Sequence, residues 1–444
     1  MNKVINERDI AFDILMRVYK GVFLKNCLGE AFGSLEIDKR GRAFITALCE
    51  GVCERQITLD HLVDRYSNVK RNKIKPQILV ILRMGIFQLK YMEKAADHGV
   101  VNESVRLAKK HGFAPLAGYV NAVLRAAARD DFDPESIEDP GIRYSVPEHL
   151  ADLFIREYGI RNAEKMLAAG LKKPALYGRV SPGITPEELC EKLKEEGVKA
   201  RPYPGFPGAI VLDEIDSMDK CGCFLKGLFT IQDLSSQLVG IVASGIMEER
   251  REMKVLDLCC APGGKTTHMA QLLGPGAHIL SRDISEKKLE AVRANLTRLG
   301  IDDVTTEVFD ACTYDEGWES GCDLVLADLP CSGLGVMGRK KDIKYRVTPD
   351  DLKELALLQR RILDNAAAYV RPGGYLIYST CTVNPGENKE QVSYLLGKDL
   401  EIVPFDEMLP EAFRGRGAKN GALQLLQGVD DCDGFFISLF RRVC

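Results

Sequence analysis

The sequence predicts a multidomain protein: an N-terminal all-α bundle, a small α/β module, and a C-terminal α/β domain with a mostly parallel sheet and helices on both faces. Three observations predict it. Through the first 130 residues, apolar positions recur at helical spacing with few strand-like alternations. From about Asp233 onward, strand-like and helical runs alternate. Between them lies a mixed stretch of about 90 residues, entered through an acidic break. A length of 444 residues accommodates two to three domains.

In the first part, Ala11, Phe12, Ile14, Leu15 and Val18 form an apolar stripe. Ile78, Leu79, Ile81, Leu82, Ile86 and Leu89 form another, and Val120, Val123 and Leu124 a third. Such stripes bury against one another in a bundle. The stretch Asp131–Pro140 has five acids and two prolines and reads as a linker. We therefore expect domains at 1–140, 141–232 and 233–444. In the second, Thr185-Pro-Glu-Glu188 is a capping box with proline at the first helical position, opening a helix through Leu189 and Leu193. Tyr177–Val180 and Ala209–Leu212 read as strands.

In the third part, Lys254–Leu258, His278–Ser281, Asp323–Ala327 and Gly374–Tyr378 are strand-like. Helical patterns at 285–299, 350–369 and 386–396 lie between or after them. The first strand runs into Cys259-Cys-Ala-Pro-Gly-Gly-Lys265, a glycine-rich turn that opens a helix, where such sheets bind nucleotides. The turn is not a P-loop, because position 259 is Cys where that motif needs Gly. Nor does it contain the G-x-G-x-x-G dinucleotide pattern. Asp283 ends the next strand and is placed to accept both ribose hydroxyls of an adenosine. Asp310 follows the third strand and is placed to meet the adenine amino group. Asp328 follows the fourth. A lone Asp at such a position is often only a helix cap; three at successive strand ends, with the turn, point to one joint site.

Fourteen cysteines are present. Most read as small buried hydrophobes, kept reduced. Cys331, in Asp328-Leu-Pro-Cys331, and Cys381, in Thr380-Cys381, stand apart because both follow strands at the sheet's carboxyl edge. No Cys-x-x-Cys pair occurs, and no metal site is expected. No apolar run of membrane-spanning length and no signal-like N-terminus are seen, so a cytoplasmic location and no membrane partner are expected. The net charge of −4 conceals an asymmetry: +8 over residues 1–130 and −12 over the rest. A basic first third suits phosphate binding, or an ordinary solvated surface.

Asp257-x-x-x-Ala-Pro-Gly-Gly-Lys-Thr266, Asp328-x-Pro-Cys331 and Thr380-Cys381 resemble the motifs of the Nol/Nop/Sun family of RNA 5-methylcytosine methyltransferases. His98-Gly-Val-Val-Asn-Glu-Ser104 and Gly118–Arg125 resemble a NusB-like RNA-binding domain. Gln232–Gln237 and Asp433-Gly-Phe-Phe436 also match, so the resemblance covers nearly the whole chain.

The resemblance implies a Rossmann-like, S-adenosyl-L-methionine-dependent catalytic domain. It implies Cys381 as the covalent nucleophile, Cys331 in product release or proton removal, and Asp328 as the residue holding the base. It implies cofactor binding by Cys259, Cys260, Ala261, Pro262, Gly263, Gly264, Lys265, Asp283 and Asp310, with Asp328 bordering the pocket. The layout is that of the family's bacterial 16S rRNA members, which modify cytosine 967. RNA is the implied partner, as free or early-assembly 16S rRNA met by a monomer. The choice of Cys381 over Cys331 rests on the resemblance alone. Some positions depart from the family pattern: Leu329 stands for Ala, Cys260 for Ala, Thr382 for Ser, Lys341 for Pro and Tyr345 for Trp. The loop Arg339–Arg346, with five bases and one aromatic, suits RNA contacts. A tRNA or another rRNA site is the alternative target. A non-catalytic RNA-binding or assembly factor is the alternative of a different class.

Overall fold

The computed structural model describes residues 6–92, 97–214, 218–246 and 252–443. Met1 to Ile5 of the N-terminal segment and Cys444, one of the fourteen cysteines, lie outside these. The chain divides into two compact units. One is Met1–Lys172 with Met337–Arg346; the other is Lys173–Val336 with Val347–Cys444.

The first unit is helical. Glu7–Tyr19 starts at Asn6, whose side chain accepts from the backbone N–H of Arg8 and Asp9. Its expected stripe is buried at Ala11, Phe12, Ile14 and Leu15 and only partly at Val18. The helix Pro76–Tyr91 is the centre of the bundle and is buried from Ile78 through Gln88. Its run Ile-Leu-Val-Ile-Leu is apolar on all sides, so it seeks partners all round rather than along one stripe. The two polar residues it buries are satisfied: Arg83 clamps Asp60 at 2.7 and 2.8 Å, and Gln88 accepts from Arg8 at 2.8 Å. The helix Ala117–Arg129 packs Val120, Val123 and Leu124 into the same core.

Two expectations are corrected in this unit. The acidic stretch 131–140 is no solvated linker. Phe132 packs on the core under the Arg65 guanidinium at 4.1 Å, and Pro134 and Ile137 are buried. Its acids face water or cap turns while its few apolar groups turn inward; Asp139, for one, accepts from the Ile142 N–H. The unit continues through the helix Glu148–Ala169.

The basic loop is the second correction. Met337–Arg346 belongs to the helical unit and spends most of its polar groups there. The Tyr345 hydroxyl lies 2.8 Å from Ser145 Oγ and 2.9 Å from the carbonyl oxygens of Ser145 and Glu54. Lys341 pairs with Glu54, and Lys344 donates to the Tyr144 carbonyl at 3.3 Å. Arg346 donates to the carbonyls of Gly21 and Val22 and covers the Phe23 ring at 4.0 Å. Carbonyls at helix ends need donors, and this loop supplies them.

The second unit holds two sheets. The smaller, in the order β2-β3-β1-β4, is antiparallel: β1 Leu176–Val180, β2 Lys199–Pro202, β3 Ala209–Glu214 and β4 Phe229–Ile231. The capping box at Thr185 and Glu188 forms as expected and starts the helix Pro186–Glu195. Such a cap stabilises by about 1 kcal/mol.

The larger sheet has β5 Met253–Asp257, β6 Ala277–Asp283, β7 Val304–Val308, β8 Cys322–Asp328, β9 Val370–Thr380, β10 Leu400–Ile402, β11 Ala422–Leu425 and β12 Phe435–Arg442. Its order is β10-β12-β9-β8-β5-β6-β7, with β11 also on β12. Strands β5 to β9 are parallel; β12 pairs antiparallel with β9, β10 and β11. The chain builds β5, β6 and β7 outward, then returns to lay β8 on the other flank of β5. The strand order therefore reverses between β5 and β8, and the crevice at their carboxyl ends is where open α/β sheets bind ligands.

Candidate active site

Each expected site residue lies at or just beyond the carboxyl end of a strand. Asp257 ends β5, Asp283 ends β6, Asp310 follows β7, Asp328 ends β8, and Cys381 follows β9. The turn Cys259–Gly263 leads into the helix Gly264–Leu273. Gly263 has φ +95°, and a Cβ there would meet Val292 at 3.1 Å, so the turn is built for glycine. No side chain caps this helix, which leaves its first N–H groups for a ligand. At Gly264 an added Cβ would meet nothing nearer than Gln232 at 3.8 Å, so that flank of the turn is open.

Asp283 is buried. Its Oδ1 accepts from the Ser285 N–H at 3.2 Å and lies 3.4 Å from Lys288. Asp310 is exposed and accepts from Cys312 N–H at 2.9 Å. Both carboxylates thus brace a turn and retain lone pairs for hydroxyl or amino donors. An uncapped helix start, a turn open beside Gly264 and two strand-end acids fit a nucleoside with a cationic tail. Burial, with the charges of Asp257 and Asp283, pushes the thiols of Cys259 and Cys260 up, so they remain uncharged.

Asp328 is held on both oxygens. Lys265 Nζ donates to Oδ2 at 2.8 Å and Ser379 Oγ to Oδ1 at 2.7 Å. Lys265 also lies over the Phe435 ring at 5.1 Å. Burial would depress its ammonium, but Asp328, and then Cys381, outweigh that and push it above its ordinary value. Lys265 is therefore a fixed cation at the thiol end of the site.

The two cysteine loops meet. Cys331 Sγ and Cys381 Sγ are 3.3 Å apart. The Cys331 thiol is pushed well up by its hydrogen bond with Cys381, by burial, and by the charges of Cys381 and Glu387. Gly335 and Gly434 allow the approach: a Cβ on Gly335 would lie 1.9 Å from the Gly434 carbonyl oxygen and 2.9 Å from that of Cys381. Asp233 starts the helix Leu234–Gly245 and also accepts from the Asp433 N–H, so the 232–237 and 433–436 motifs meet beside this loop.

Sequence reasoning missed several residues here. Gln359, Tyr378 and Glu387 form a buried polar network under the thiols, and Ser379 braces Asp328; nothing in their spacing signals either. Chemically, the arrangement offers a thiol pair, a cation and a carboxylate beside the open glycine-rich turn. That set suits covalent addition to an aromatic base.

A family model described as 16S rRNA methyltransferase RsmB/F matches residues 245–441. One described as the NusB family matches 5–129, and one for a ferredoxin-like domain of RsmF/B-like methyltransferases matches 146–219. The probable ribosomal RNA small subunit methyltransferase B of Bacillus subtilis (strain 168) is 32% identical over 99% of this chain and 99% of its own. The chain belongs to the RsmB family. Like that family, it is an S-adenosylmethionine-dependent RNA methyltransferase, with a NusB domain ahead of a small α/β module and a Rossmann-like catalytic domain. Among solved structures, a methyltransferase homolog protein from Pyrococcus horikoshii is 29% identical, with a TM-score of 0.57 over 69% of this chain and 98% of that one. NSun6 from Pyrococcus horikoshii, solved with SFG, shares the fold at 24% identity and a TM-score of 0.60, over 67% of this chain and 98% of that one.

Proposed function

We propose that this RsmB-family enzyme methylates C5 of a cytosine in 16S rRNA, at cytosine 967, through a covalent bond from Cys381. The carrying observation is the pair of sulfurs at 3.3 Å, with Lys265 held on Asp328 alongside Ser379, two residues before Cys381, and Glu387 held on the Ser332 N–H, next to Cys331. A nearby cation favours a thiolate, and a nearby anion disfavours one. This asymmetry supports Cys381 as the attacker on physical grounds, where the sequence offered only a family likeness.

S-adenosylmethionine, held by the Cys259–Lys265 turn, Asp283 and Asp310, supplies an electrophilic methyl group when bound. The Cys381 thiolate adds to C6, forming an Sγ–C6 bond. The C5–C6 double-bond pair shifts toward C4 and N3, and C5 becomes an enamine-like carbon nucleophile. Electron density thereby reaches N3, which takes up a proton that leaves again when C5=C6 re-forms; Asp328 accepts hydrogen bonds from the N3–H and N4–H edge so made and, fixed by Lys265 and Ser379, needs little reorganisation. Once C5 carries both methyl and hydrogen, a base removes that proton. The pair re-forms C5=C6, and Cys381 departs as thiolate. Cys331 lies beside the departing sulfur and serves proton removal or release.

The proposed setting is the cytoplasm, with a monomer acting on free or early-assembly 16S rRNA. Among the described residues, no helix is long and apolar enough to cross a membrane. The test is methyl transfer from labelled cofactor to 16S rRNA of a strain lacking the gene, followed by mapping. Label at C5 of cytosine 967 is expected. Label on another atom or nucleotide, or none, overturns the assignment.

A further inference from the structure

Under the thiol pair lies a carboxylate that the reaction above does not use. Glu387 is fully buried. Its Oε2 accepts from the Ser332 N–H at 2.8 Å and from Gln359 Nε2 at 3.1 Å. Its Oε1 accepts from Ser332 Oγ at 2.5 Å and Asn384 Nδ2 at 3.0 Å. All four donors are neutral, so Glu387 accepts from both loops while keeping its charge unneutralised. Burying a carboxylate is costly unless its hydrogen bonds are filled, and here they are.

Ser332 and Asn384 lie in the loops that carry the sulfurs, and Gln359 comes from the helix Pro349–Tyr369. Ser332 adjoins Cys331, and its hydroxyl also lies 2.7 Å from Thr382 Oγ1, next to Cys381. Gln359 donates in addition to the Pro330 carbonyl at 2.9 Å. The Tyr378 hydroxyl, from β9, donates to the Glu387 carbonyl. Among the titratable groups that bear on the pair are Glu387, Tyr378 of β9 and Lys265 of the helix Gly264–Leu273, which itself pairs with Asp328 of β8. The anion Glu387 bears on Cys331; the cation Lys265 bears on Cys381.

We propose that Glu387 is a positioning residue of the thiol pair: it fastens the Cys331 loop to the Cys381 loop and, as a buried negative charge, keeps Cys331 the proton-bearing partner. The proposal rests on the reading of Cys381 as nucleophile and Cys331 as its assistant. It narrows that reading to release: one sulfur attacks, and the other, keeping its proton, assists the departure of Cys381 and is not the base that takes the C5 proton.

The test is residue-resolved alkylation of the full-length protein by short iodoacetamide pulses across pH 6 to pH 12, read by mass spectrometry, with kcat and KM measured in parallel. In the wild type, Cys381 reacts at lower pH than Cys331. Glu387→Gln keeps the size and removes the charge. It is expected to lower the Cys331 midpoint by about one pH unit and to reduce kcat about ten-fold, with KM for RNA changing less than about two-fold. An unmoved Cys331 midpoint in a folded Gln variant overturns the electrostatic role. Glu387→Asp keeps the charge and shortens the reach, so the order of alkylation stays while kcat falls. A reversed order, or an unchanged kcat, overturns the proposal even if the Gln variant does not fold. Alkylation needs no RNA, so it stands apart from the nucleophile assignment: transfer surviving in Cys381→Ala overturns that assignment and leaves the alkylation result intact.

Discussion

Cys331 and Cys381 face each other at 3.3 Å, between a fixed cation and a buried carboxylate. Lys265 is held 2.8 Å from Asp328, which Ser379 of the Cys381 strand also grips, and buried Glu387 accepts from the Ser332 N–H next to Cys331. Two like side chains in contact thereby become chemically unlike. In the proposed mechanism a thiolate attacks, and the mutual attraction of Lys265 and Cys381 favours one at Cys381.

Lys265 should therefore set the acid limb of the pH–rate profile. Replacing it by Met removes a cation from beside Cys381, and the thiol then ionises at higher pH. With saturating cofactor, the limb in Lys265→Met should move up by about one pH unit or more. A limb that stays in place contradicts the pairing of Lys265 with Cys381.

Gly263 should be required for cofactor affinity. Its φ of +95° is strained for any residue with a Cβ, and the added carbon would press on Val292 at 3.1 Å. Strain of about 1–2 kcal/mol in the turn should weaken S-adenosylmethionine binding by about ten-fold or more in Gly263→Ala. Calorimetric titration measures this, and circular dichroism checks that the fold persists. Unchanged affinity would remove the turn from the binding site.

The strap Met337–Arg346 should matter for stability rather than for phosphate contact. Tyr345→Phe strips a hydroxyl from Ser145 and from the Glu54 carbonyl, at a cost of about 1–3 kcal/mol. Arg346→Ala withdraws donors from Gly21 and Val22 and should also lower Tm. In both, the slope of log K for RNA against log salt should stay within about one phosphate contact of the wild type. A larger loss of slope with Tm unchanged would restore the strap as an RNA-contacting loop.

Lys344, in the same strap, makes the helical unit pH-sensitive. It is 3% exposed, and burial depresses it from 10.5 to about 7, opposed by Glu54 and reinforced by Lys341 and Arg55. Between those two values the unfolded chain holds more protons on this group than the folded one. Stability thus rises with pH through that window, and below it the penalty of a buried ammonium is fully present. Lys344→Met lacks this dependence. Its Tm should exceed the wild type's by most at pH 7 and below, with the gain shrinking toward pH 10. A gain that does not vary with pH would mean that Lys344 is not neutralised by folding.

Much of the site was legible because its chemistry is local in sequence. The turn, the strand-end acids and the two cysteine motifs each sit within a few residues of a strand or helix signal. What stayed hidden depends on distant partners. The strand β12, Phe435–Arg442, is buried on both faces at its start, so it lacks the alternation that marks a half-exposed strand. The strap looked like a charged surface loop until Lys341 was found against Glu54 and Arg346 against the carbonyls of Gly21 and Val22. Glu387, in Asn384-Pro-Gly-Glu387, reads as an exposed turn acid; only the folded chain brings Ser332 and Gln359 to it.

The central claim, that Cys381 bonds to C6, is tested most directly by trapping. Cys331→Ala removes the assistant, so release should slow and a protein–RNA adduct should accumulate on a denaturing gel. Nuclease and protease digestion of that band, with mass spectrometry, should place a methylated cytidine on the peptide bearing Cys381, and Cys381→Ala should give neither adduct nor transfer. A nucleotide on any other residue, or methyl transfer that survives Cys381→Ala, would contradict the account.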